Sequence, residues 1–139
     1  MNYQIAIAGG ITLLAFFAHA LVGIREALST APAKSPQKAN VDRNDVVERN
    51  WVQSMCAFQL VTIDLLALSV LLFVLAFTDL LGSKQVIAFC LVAFYLLWGS
   101  AWLLQLLFLK RRPKDFLLLS QWLFWFVCAG LIYWGAQSL

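Results

Sequence analysis

The stretch WVQSMCAFQLVTIDLLALSVLLFVLAFT, residues 51–78, holds one charged side chain, Asp64, in an otherwise uncharged run. A bilayer core is about 30 Å thick and takes about 20 helical residues to cross, so this run is long enough to span it. A helix on a soluble domain would show a charged face, and this one has none. Its solvent is therefore lipid, where backbone groups must bond within the segment, and the segment is a helix. Working outward, residues 3–24, 85–109 and 116–136 read the same way. The expectation is an all-α integral membrane protein, a four-transmembrane-helix bundle in which residues 1–139 form a single domain. The chain is 12% charged, half of the roughly 25% of a soluble domain, which supports lipid as the solvent.

Orientation follows from the basic residues. Arg25, Lys34, Lys38, Arg43, Arg49, Lys110, Arg111, Arg112 and Lys114 fall in the connectors 25–50 and 110–115, and only Lys84 falls on the opposite side. Basic loops stay cytoplasmic, so loops 1–2 and 3–4 are expected inside and both termini outside, in the periplasm of a bacterial inner membrane. Tyr3, Tyr133 and Trp134 then sit at the outer boundary and Trp51 at the inner one, where amphipathic rings are favoured. In connector 25–50, Pro32 and Pro36 make residues 29–37 extended. The run DRNDVVER, residues 42–49, reads as a charged helical overhang of the second span with Asp42 as its N-cap. Residues 5–24, with Ala18-His19-Ala20 among them, mimic a secretory leader, but the start lacks a basic region, and the segment is read as a retained first span.

Several function classes drop out. The net charge of +3 comes from membrane-flanking loops, with no aromatic-interleaved basic patch, so nucleic acid is not an expected partner. Cys56, Cys90 and Cys128 are isolated in separate apolar segments, with no C-x-x-C and no histidine cluster, so no metal site is expected and the cofactor is unknown. There is one histidine, with no Gly-rich phosphate loop, so whether the chain is an enzyme stays open.

The candidate site residues are the polar groups inside the spans. Ala8, Thr12, Ala15, His19, Gly23 and Glu26 share roughly an 80° arc of the first helix, a small and polar stripe suited to close helix contact. His19 lies roughly 9 Å inside the boundary marked by Arg25. Gln53, Gln59, Gln105 and Gln121 fall near the same level, suggesting a polar layer in the cytoplasmic half. Gln105 lines up with Trp98, and Gln121 with Trp125, so an aromatic wall above amides could hold a lipophilic ligand. Hydrogen bonds that merely specify helix packing account for the same residues. Asp64 is expected to share the face of Gln53 and point to the bundle interior, with Gln59 about 140° away. A carboxylate at mid-membrane costs about 2.5 to 3.5 kcal/mol, so it carries a role: packing donor, proton acceptor, or contact for a partner's helix.

Four spans with outside termini and a long charged first cytoplasmic loop resemble the membrane-bound glutathione and eicosanoid transferases. That resemblance is one of topology. Their R-x-x-x-N-x-x-E pattern falls here on Val52, Cys56 and Gln59, so the residues that family uses on glutathione are replaced. Small multidrug transporters also have four spans and one membrane carboxylate, but in the first span, whereas Asp64 is in the second. Three readings follow: a binding or accessory protein that holds a lipophilic ligand or a membrane partner, as a homo- or hetero-oligomer; a proton-coupled transporter using Asp64; or a membrane enzyme using His19 with Glu26 or the glutamines.

Overall fold

The computed structural model describes residues 1–32, 41–109 and 112–139, without the side chains of 41–44. Asp42, expected as an N-cap, lies inside the helix that begins at Val41, and most of residues 29–37, expected to be extended, falls outside these described residues. Every described element is helical. The first rod runs as α1 (Tyr3–Phe17), a π-helical segment (Ala18–Gly23) and α2 (Ile24–Ser29). It is followed by α3 (Val41–Phe77), α4 (Lys84–Phe108), α5 (Pro113–Leu118) and α6 (Gln121–Ala136). Three of these rods, Tyr3–Ser29, Asp45–Phe77 and Lys84–Phe108, have 27, 33 and 25 residues and are long and apolar enough to cross a membrane.

The last apolar stretch departs from expectation, because it is two helices where residues 116–136 read as one. α6 has 16 residues, or about 24 Å, short of the hydrocarbon thickness on its own. The break frees carbonyls that lipid could not satisfy. Indoles take them: Trp122 Nε1 donates to Phe116 O at 2.9 Å and Trp102 Nε1 to Leu119 O at 3.1 Å. Pro113 starts α5 where no amide is needed, and the Arg112 N–H donates to Asp115 Oδ2 at 3.2 Å.

The chain divides into two compact units, Met1–Ile11 with Ser69–Leu139, and Thr12–Leu68. In the first, Asn2 ties three helix ends together. Its N–H donates to Ala76 O at 3.0 Å, its Nδ2 to Gly135 O at 2.8 Å and Ser138 Oγ at 3.2 Å, and its Oδ1 caps Ile5 N–H at 3.1 Å. Gln85 Nε2 adds a bond to Ala136 O at 3.3 Å. The start of α1, the end of α3, the start of α4 and the end of α6 thus meet. Contact there is backbone-close: a Cβ on Gly135 would lie 2.6 Å from both Asn2 Oδ1 and Ile5 Cγ1. Gly9 likewise fits under Leu72 and Phe73, and its carbonyl accepts from Ser69 Oγ at 3.2 Å. Small residues at such crossings are what hold helices together where lipid removes the hydrophobic drive. The core of this unit is Ile5, Leu72, Leu75, Tyr95, Cys128 and Ile132, all fully buried.

At the Asp79–Lys84 turn, Lys84 Nζ pairs with Asp79 Oδ1. Beside it lies an open cleft of about 500 Å³ lined by Asp79, Leu81, Gly82, Ser83, Lys84, Gln85, Val86 and Leu139. In the second unit, the expected overhang of the second span is present: α3 starts at Val41, well before Trp51. Trp51 Nε1 donates to Ala27 O at 3.4 Å, and Ser29 and Thr30 hydroxyls also bond to carbonyls of the last turn of α2.

Candidate functional site

His19 sits in the π-helical segment, so the first span is not the regular α-helix its spacing implied. Single-turn π segments widen a helix by one residue, leave backbone bonds out of α register and recur at functional sites. Around His19 the unit is specific. Its imidazole stacks on Phe58 with ring centroids 3.8 Å apart and planes 14° from parallel, and Nδ1 lies 2.9 Å from Thr62 Oγ1. Gly23, at the end of the segment, lets Phe58 lie there, since a Cβ would meet the ring at 3.0 Å.

The proton positions at His19 and Thr62 are coupled. The Thr62 hydroxyl has one proton and lies between Phe58 O at 3.1 Å and His19 Nδ1 at 2.9 Å. When that proton goes to Phe58, Thr62 accepts from Nδ1–H and Nε2 keeps the lone pair; when it goes to Nδ1, Nε2 carries the hydrogen. Nε2 has no partner among the described residues. The ring is half-buried, held in one orientation by Phe58 and Thr62, and presents Nε2. Phe58 and Thr62 were missing from the sequence reading. Their only signal is a spacing of four on one helix face, which every apolar helix offers many times over.

The other expected residues divide between the two units. Glu26 in α2 is exposed, and among the described residues its carboxylate makes no hydrogen bond, to His19 or to any other group. Gln53 and Gln59 on α3 are exposed as well, and neither has a partner among the described residues. Asp64, between exposed Ile63 and buried Leu65, is half-buried and also makes no hydrogen bond or ion pair with any described residue.

In the other unit, Trp98 and Trp125 stack at 5.4 Å and 17°, with Tyr95 edge-on to Trp125 at 5.1 Å. Gly99 permits this α4–α6 approach by leaving room for the Phe126 ring, 3.0 Å from where a Cβ would be. Trp125 is buried and Trp98 half-buried, so these rings fill space between the helices. Gln105 near the end of α4 and Gln121 at the start of α6 are exposed. Among the described residues, no three His, Cys, Asp or Glu side chains gather as metal ligands. The described residues offer one oriented imidazole and a set of uncompensated amides and a carboxyl on apolar helices. Compared with known proteins, the chain matches no protein-family model, no curated protein and no solved structure.

Proposed function

We propose that the protein is an integral membrane docking protein: an accessory unit that binds a partner in the same membrane through polar groups its own fold leaves uncovered. Asp64 carries this reading. It lies well inside the 33-residue apolar rod Asp45–Phe77, half-buried and without a hydrogen-bond partner among the described residues. An uncompensated carboxyl at that depth costs about 2.5 to 3.5 kcal/mol, and a partner helix that supplies a hydrogen-bonding group offsets that cost. Exposed Gln53 and Gln59 on the same helix make the same demand.

Four spans with both termini periplasmic in a bacterial inner membrane is the topology we propose with it. In support, Asn2 bonds to Gly135 and Ser138, so the start of α1 and the end of α6 share one end. Chain ends that meet require an even number of crossings, and α5 with α6 supplies the fourth.

A second reading is favoured by His19, whose free Nε2 on a π-helical segment suits a lipophilic ligand bearing a hydroxyl, which can donate or accept. Native mass spectrometry after gentle extraction tests both. A stoichiometric protein partner that is released by Asp64→Leu is the expected result. A retained small molecule lost in His19→Ala favours the second reading instead, and a bare monomer overturns both.

A further inference from the structure

We infer that the partner at Asp64 is a second copy of this chain, docked parallel along α3, with Gln59 of each copy hydrogen-bonded to Asp64 of the other. This rests on the docking reading above and names its occupant. The observation behind it is a row on α3: Arg49, Gln53, Cys56, Leu60, Ile63 and Ala67, all exposed. Their spacing alternates four and three, an average of about 3.5 residues, which is the period that keeps one face against a partner helix in a left-handed pair. Leu60 and Ile63 are each 62% exposed. From Gln53 to Ala67 the row runs about 21 Å at 1.5 Å per residue, more than half of a bilayer's hydrocarbon depth.

The opposite face of α3 is already in use. Trp51 reaches Ala27, Phe58 and Thr62 hold His19, and Leu65 and Leu68 are buried. The row is the face left over, and its flanks carry the polar groups. Gln59 borders it on one side and Asp64 on the other, about 140° apart around the helix. In a parallel heptad pair, a side chain on one flank meets the partner's opposite flank five residues further on. Gln59 and Asp64 are separated by that interval. The amide N–H of Gln59 donates to the Asp64 carboxyl of the second copy, and the two-fold axis repeats the bond. Gln53, within the row, meets its own equivalent, and two amides satisfy each other's donor and acceptor. Arg49, the charged member, lies on the polar overhang, where its long side chain reaches water.

Two further points select a second copy. Copies of one chain inserted with one topology present α3 in the same direction, so a parallel pair needs no special arrangement. The row is also self-complementary: every amide and carboxyl on it finds its match at the symmetry-related position, with small Cys56 and Ala67 allowing close approach.

Cys56 makes the seam testable. With Cys90 and Cys128 replaced by alanine, mild oxidation of the full chain in its own membrane is expected to give a disulfide-linked dimer through Cys56. Moving the cysteine off the row, with Cys56→Ala and Ser54→Cys, is expected to abolish it. By energy transfer between labelled copies, Asp64→Leu or Gln59→Leu is expected to weaken association about tenfold, as two lost membrane hydrogen bonds imply. The swap Gln59→Asp with Asp64→Gln restores it, which a general packing defect would not. No dimer through Cys56, or equal cross-linking from position 54, overturns the inference. If a protein of different mass is then found bound and is released by Asp64→Leu, docking stands and only the second copy is lost; an unbound monomer removes both.

Discussion

Replacing Asn2 with alanine removes the amide that reaches Gly135 and Ser138 and the oxygen that caps Ile5, while the Gly135 carbonyl keeps the Ser138 N–H and hydroxyl as donors. The expected cost is about 0.5 to 2 kcal/mol, that of a lost cap and the lost link between helix ends. It is read as a lower midpoint of unfolding in detergent, and an unchanged midpoint sinks the clip. At the Asp79–Lys84 turn, the hydrogen bond from Lys84 and then its positive charge hold the Asp79 carboxyl below the usual range. A lowered folded value means that the contribution is present above an unfolded pKa of about 4 and fades as pH falls through the folded value. In Lys84→Met, carbon-detected titration is expected to show Asp79 back in the ordinary carboxylate range; no movement would mean the pair does not form in solution. Single residues were partly legible beforehand. His19 and Asp64 stood out because lipid makes any ionisable group conspicuous. Asn2 did not, because the second residue of a chain gives no periodicity and its three partners lie far away in sequence.

Helical elements were legible from apolar length alone, since a run without charge in lipid has one backbone solution. Two interruptions were not: the π segment around His19 and the break before Gln121. Hydropathy records what side chains are made of, and both interruptions depend on which carbonyl finds which donor. The break is maintained by Trp122 and Trp102 at the freed carbonyls of Phe116 and Leu119. Trp122→Phe keeps the ring and removes the donor, so it is expected to cost about 1 kcal/mol at the break. Amide exchange of residues 119–122 should quicken while the middle of α4 keeps its protection. Equal rates in both proteins would show that the indole bond does not hold the turn.

On the molecular scale, two independent observations bear on how the chain crosses the membrane. The basic residues support the sides proposed for the loops, and the Asn2 bonds join the two chain ends whatever the sides are. Which helix faces pair was illegible in the sequence, because in lipid apolar area favours no contact over another and shape decides. Gly135 and Gly99 permit close crossings that composition does not reveal. Cysteine labelling separates the topologies in a background with Cys56, Cys90 and Cys128 replaced by alanine. Tyr3→Cys and Leu139→Cys are both expected to react with an impermeant maleimide from outside, and Ser29→Cys only after the membrane is opened. An odd number of crossings would put Tyr3 and Leu139 on opposite sides, and the Asn2 bonds to Gly135 and Ser138 could not form. Labelling of Leu139→Cys from the inside with Tyr3→Cys outside would therefore refute the fourth span and the joined ends together. If both react outside, the 16 residues of α6 cross only with the help of α5 or a locally thinned bilayer, since α6 alone is about 6 Å short.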